Sequence, residues 1–183
     1  MTTTQLWLFS GLYLMLFVVV AILTRATVRR ITGAFAGGLA GGVAALGIVA
    51  LGEKASWWHQ TITWRPYFLT LFVIDFALCG LVFLITWRIA RRFGSRGLTV
   101  AMIVAAVIGP PRDYWYMTRF PEWGTYTWGV PTVLAVSASY VLLGIVGHGV
   151  MRLVAGPARE DRLASWPAPT ASRPFKRYSS RFR

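Results

Sequence analysis

The sequence predicts an all-α fold, a polytopic membrane bundle of about five transmembrane helices. Two observations carry this expectation: the length of the apolar runs, and the position of the basic residues between them. Of 183 residues, 56% are hydrophobic. They stand in long stretches rather than at amphipathic spacing, and each stretch is about long enough to cross ~30 Å of hydrocarbon as a helix. A water-soluble domain has no use for several such runs.

Taken in order, the first helix is expected over 6–24, ending at Arg25, Arg29 and Arg30. No Lys or Arg precedes it, its apolar run is longer than a signal-peptide core, and no small-x-small cleavage site follows. It reads as a retained helix. The second covers 31–51 and leads into a loop with Glu53, Lys54, two Trp and His59. The third, 66–87, starts at Pro66, where proline suits a first turn. A basic loop with Arg88, Arg91, Arg92 and Arg96 follows. The fourth covers 98–118 and is expected to be bent or ended at Pro110-Pro111, because proline removes a backbone donor and clashes with the preceding turn. The fifth, 128–154, stops at Gly156-Pro157. Residues 1–156 thus form a transmembrane domain. Residues 157–183 form a basic tail, rich in Pro, Ser and Arg, expected to be disordered or to lie on the membrane surface.

Lys and Arg number 19 against six Asp and Glu. The first and third loops hold three and four of the basic residues and the C-terminal part from Arg152 onward holds eight, while the other two loops hold two each. The positive-inside rule then places the tail in the cytoplasm and the N-terminus outside, in a cytoplasmic (inner) membrane. This distribution points to anionic lipid headgroups rather than nucleic acid as the partner of the charge. Trp57, Trp58, Trp64, Trp87, Trp123 and Trp128 fall at expected helix ends and read as an interfacial aromatic belt. The single cysteine, Cys79, sits in an apolar run and allows no intramolecular disulfide.

Helix two carries Gly33, Gly37 and Gly41 at four-residue spacing, with Gly38 and Gly42 alongside. Small residues so spaced let another helix approach closely. The partner is either a helix of the same chain or, in a homo- or hetero-oligomer, another subunit.

Ionisable residues at membrane depth need a partner or a purpose. Asp75 lies ten residues into helix three, ~15 Å at helical rise, and Arg112 ~11 Å from the outer end of helix four. Arg112 is expected to pair with Asp75 or with Asp113. A structural ion pair is one reading. The other is a polar pocket at the outer leaflet, walled by Tyr114, Trp115, Tyr116 and Tyr126, with Tyr140 as a further candidate. In it Asp113 or Asp75 would be the acid, and Arg112, Glu122 and Trp123 would join the binding residues. His148 is expected to hydrogen-bond a neighbouring helix. No spacing of His, Cys and carboxylates suggests a metal, and no nucleotide or hydrolase motif points to a cofactor or an enzyme.

The stretch Ile-Gly-Pro-Pro-Arg-Asp-Tyr, then Trp123, then Gly-Val-Pro ending at Pro131 resembles the lycopene cyclase domain membrane proteins over residues 108–131. By that resemblance Asp113 matches the family's aspartate and Pro131 its later proline, and isoprenoid handling is implied. Where the family has acidic residues after the proline, this chain has Thr132 and Val133, so the resemblance does not extend to cyclase activity. Residues 151–163 look like the ending of uncharacterised bacterial multi-pass membrane proteins. The function expected from the sequence is a non-enzymatic scaffold or subunit of a membrane assembly. The alternative is lipid or isoprenoid handling in a pocket around Asp113, and the third reading is a small transporter.

Overall fold

The computed structural model describes residues 3–60, 67–160 and 163. Its elements are α1 (Thr3–Leu23), α2 (Val28–Lys54), β1 (Trp58–His59), α3 (Tyr67–Phe76), a π-helical stretch (Ala77–Phe83), α4 (Leu84–Arg119), a 3-10 turn (Pro121–Trp123), β2 (Thr125–Tyr126) and α5 (Val130–Ala155). The all-α expectation holds. The expected start at Pro66, Trp64 and most of the tail lie outside the described residues.

The outer surface is lined by exposed Leu8, Leu12, Ile22, Val43, Ile103 and Leu134. So much apolar surface facing outward is compatible with a protein embedded in lipid. Four helices are long and apolar enough to cross a membrane: Thr4–Leu23, Val28–Lys54, Val73–Arg119 and Val130–Ala155. Counted by length and composition there are about four such helices rather than the expected five, because the third and fourth expected helices fall in one run of 47 residues. That run is broken at Gly94, and the arginines of the expected basic loop are helical.

Gly94, with φ +69° and ψ −154°, is the break in that run. A side chain is strained at this φ, so glycine is what lets the backbone turn here. Phe83 lies against Gly147 and Met102 against Gly144. A straight helix would hold Phe83 and Met102 ~28 Å apart, yet their partners on α5 are only ~4.5 Å apart along its axis. The run therefore doubles back at Gly94 into two antiparallel arms.

Pro110 and Pro111 do not interrupt α4, which stays helical through them to Arg119. Pro110 has no N–H to give the Ala106 carbonyl four residues earlier. The Ser137 hydroxyl of α5 donates to that carbonyl instead, at 2.8 Å. A side chain from a neighbouring helix satisfying a freed carbonyl is how prolines are tolerated in membrane helices. Ser137→Ala should therefore cost about 1–3 kcal/mol. Adding Pro110→Ala, which restores the missing N–H, should recover most of that loss in thermal melts. A double variant no more stable than Ser137→Ala would mean the carbonyl is not the reason.

The glycine face of α2 is used inside the subunit. A Cβ on Gly33 would fall 2.7 Å from Ala155 Cβ, and one on Gly37 would fall 2.5 Å from the Gly147 carbonyl oxygen. Gly41 meets Leu78 and Phe83. At the same end, Phe17, Ala34, Phe83, Leu84, Trp87, Met151 and Ala155 form the buried core. Phe17, Phe35 and Phe76 join three helices around it, with ring centroids 4.9 to 6.4 Å apart.

α1 and α2 form a tight hairpin. Arg25 takes a left-handed φ of 51°, and the Thr27 side chain caps α2 by accepting from Arg30 N. The Thr24 carbonyl at the end of α1 accepts from Arg30 Nη1 (3.3 Å) and Arg88 Nη1 (3.4 Å), cations at the negative end of a helix. Here too Arg29 reaches Gly156 and Arg159 reaches Gly94, so the basic residues gather at one end of the bundle.

The opposite end is closed by a small two-stranded sheet that ties the α2–α3 and α4–α5 connections together. Trp58 pairs with Tyr126 and His59 with Thr125. Trp58 lies flat on Gly52, where a Cβ would collide with its ring, and its indole N–H donates to the Val49 carbonyl at 3.1 Å. The aromatic belt is thus partly corrected. Trp128 is 73% exposed as a belt residue should be, but Trp58 at 6% and Trp87 at 2% are core.

Candidate functional site: a cavity with one polar end

Beneath the two-stranded cap lies a cavity of about 530 Å³ between the helices, partly open to the outside of the bundle. Its size is that of a small-molecule site, and such sites combine apolar walls with a few convergent polar groups. At the capped end it is lined by Tyr13, Gln60, Arg112, Asp113, Tyr126 and Tyr140. Below them the walls turn apolar, through Ile48, Leu78, Leu81, Ala105 and Leu143, and the cavity ends at Phe83, Met102 and Gly144. From Asp113 to Met102 along α4 is ~16 Å. The π-helical stretch Ala77–Phe83 supplies one wall.

The polar end is organised by the Gly109–Asp113 segment. Gly109 leaves room for the Tyr140 ring, which a Cβ there would strike. Tyr140 then donates its hydroxyl proton to the Asp113 carboxylate, at 2.9 Å from Oδ1 and 3.1 Å from Oδ2. Arg112 closes on the same carboxylate, with Nε 3.0 Å and Nη2 2.9 Å from Oδ1. Asp113 is therefore well supplied with donors, and its side chain is 16% exposed against 58% for Arg112. The guanidinium also lies 5.7 Å from the Tyr116 and Tyr140 ring centroids.

Tyr126 comes from the cap and accepts from Gln60 Nε2 at 3.3 Å. Burial, with the nearby Asp113 carboxylate adding to it, pushes its phenol well above the ordinary range. Tyr126 thus keeps its proton and remains a neutral donor. Chemically, this end offers the outward face of a guanidinium and a phenolic O–H to an acceptor group.

Several expected site residues lie elsewhere. Tyr114 is buried at 6% and holds the cap, donating to the Thr127 carbonyl at 2.9 Å. Trp115 is 58% exposed and faces outward. Tyr116 stacks on Trp123 and Phe120 outside the cavity, and Glu122 is exposed on the 3-10 turn. Asp75 is buried on α3, while the charged and phenolic groups acting on Arg112 are Tyr140, Asp113 and Tyr116. Of the two partners expected for Arg112, Asp113 is the one found. His148 meets its expectation, bonding Thr86 on the neighbouring helix. Sequence reasoning missed Tyr13, Gln60 and Ser137. Tyr13 carried a signal, as a polar-headed residue inside the apolar run of α1. The β-prone Thr125–Tyr126–Thr127 hinted at the cap. Among the described residues no cluster of His, Cys, Asp and Glu could hold a metal.

Compared with known proteins, the chain matches no family model, no curated protein and no solved structure.

Proposed function

We propose that this chain is a lipid-binding membrane protein. It holds one amphiphile with its head at Arg112 and Tyr126 and its tail among Leu78, Ala105 and Leu143. The head end faces the outer leaflet, with the basic end and the tail in the cytoplasm, a reading supported by the distribution of Lys and Arg. The observation that carries the reading is the gradient within one cavity, from guanidinium and hydroxyl groups under the cap to uninterrupted apolar wall below. At the ~30 Å³ per small group that water occupies in the liquid, the cavity holds roughly fifteen to twenty heavy atoms, the size of one chain rather than two.

The free donors point to an acceptor head, a carboxylate or a phosphate. An isoprenoid chain and an acyl chain fit the apolar part equally well. The Arg112–Asp113 pair holds the guanidinium in place without presenting a net charge. A scaffold role through the glycine face of α2 has less support, since Gly33 and Gly37 are packed against α5 of the same chain. The test is extraction of lipid from the purified protein and mass spectrometry of the extract. A single-chain, acceptor-headed lipid enriched over its share of the membrane is expected. Bulk phospholipid in native proportion would sink the reading.

A further inference from the structure

A second cavity, of about 470 Å³, lies at the basic end of the bundle. Trp87, Ser95, His148, Arg152 and Arg159 line it, together with Glu160. The Gly94 turn creates this space by folding the α4 arm back beside α5, and Arg159 is laid over the turn itself. The cavity therefore repeats, at the other face, the chemistry of the capped end: guanidinium groups above an apolar wall. Arg152 and Arg159 outnumber the one carboxylate present.

The two cavities share a wall. Met102 and Gly144 line both. Gly144 has no Cβ, and the Met102 sulfur occupies the space that one would take. What stands between the cavities at this point is the end of one methionine side chain. Methionine is unbranched, with three rotatable bonds, and readily repacks. Phe83 flanks the same point, packed on Gly147 and edge-on to the His148 ring at 5.5 Å. Beyond it, Thr86 and His148 form a hydrogen-bonded polar station, with Trp87 stacked on the imidazole at 6.4 Å. From Tyr140 in the outer cavity to Arg152 in the inner one is ~18 Å along α5, over half of a ~30 Å hydrocarbon core.

We infer that the two cavities are halves of one path across the bilayer, closed at rest by Met102 on Gly144, along which an amphiphile with a carboxylate or phosphate head passes between the leaflets. This rests on the lipid-binding reading above and adds movement to it. The head leaves the guanidinium of Arg112, passes the opened Met102, is met by His148, which Thr86 holds by a hydrogen bond, and arrives at Arg152 and Arg159. The apolar tail travels in the partly open flank of the cavities. Nothing covalent happens, and the direction follows the concentration of the lipid.

The experiment uses the full chain in phosphatidylcholine vesicles. These carry a lysophosphatidic acid probe whose nitrobenzoxadiazole fluorophore dithionite bleaches only in the outer leaflet. Wild type should bleach the inner pool faster than protein-free vesicles. Met102→Ala, which removes the plug, should raise the rate by about tenfold, and Met102→Phe, which fills the gap, should lower it by about as much. Melting curves and bound-lipid extraction on the same preparations show that each variant is folded and still loads the outer cavity. If all three proteins match protein-free vesicles while lipid still co-purifies, the path is wrong and the binding reading stands. If Met102→Ala and Met102→Phe move the probe equally fast, Met102 is not the gate and the inference falls. If no lipid co-purifies at all, the binding reading fails with it.

Discussion

Gly37→Leu is expected to abolish stable folding of the bundle. A Cβ at this position would sit 2.5 Å from the Gly147 carbonyl oxygen and 3.3 Å from Met151 Cβ. The first of these atoms is backbone on the facing helix, so no side chain can rotate out of the way. The two helices would have to separate, and with them the Gly33–Ala155 approach and the burial of Met151 at 0% exposure. Overpacking a rigid interior typically costs about 1–3 kcal/mol, and more where backbone must move. This site belongs at the upper end. The readout is yield and melting temperature in mild detergent. A folded variant with a wild-type melting temperature would mean that α2 and α5 do not pack through Gly37.

The Arg112–Asp113 pair should respond unequally to loss of either partner, and the exposures say which loss is worse. Arg112→Gln leaves a carboxylate whose side chain is 16% exposed without its cation, while Asp113→Asn leaves a guanidinium that is 58% exposed. A stranded, mostly buried charge costs about 3 kcal/mol or more. A stranded exposed one costs about 1 kcal/mol or less, because solvent and headgroups take over. Asn also keeps an acceptor for the Tyr140 hydroxyl. Arg112→Gln should therefore destabilise more than Asp113→Asn, and the double variant should recover most of the difference. Equal losses, or strictly additive ones, would show that the two side chains do not act as a pair.

What the sequence made legible, and what it did not, follows from how far each signal reaches along the chain. Apolar runs and basic punctuation are local properties, so α1, α2 and α5 lie close to their expected ranges. The glycines of α2 announced close helix approach, but spacing carries no information about which helix approaches. In the stretch over 108–131 the prolines point to a break that the structure does not have. Whether Pro110 breaks a helix depends on whether another segment can serve Ala106, and that donor, Ser137, comes from α5. Depth arithmetic brought Asp75 and Arg112 to similar levels in the bilayer, but equal depth does not fix which way two helices face. Arg112 turns to Asp113 instead. The cap escaped notice because its strands are two residues each, in segments 67 positions apart. So did the cavity, whose walls come from every helix and which no single segment encodes.

An amphiphile is proposed to occupy the space between these helices. Lipid extraction and mass spectrometry test this most directly when wild type is run beside Ala105→Trp. Ala105 lines the apolar part of the cavity, seven residues or ~10 Å along α4 from Arg112. An indole there fills the space reserved for the tail and leaves Arg112, Asp113 and Tyr140 untouched. Wild type should yield one acceptor-headed, single-chain lipid in near-stoichiometric amount, and a folded Ala105→Trp protein should have lost it. The same lipids in the same proportions from both would contradict the proposal.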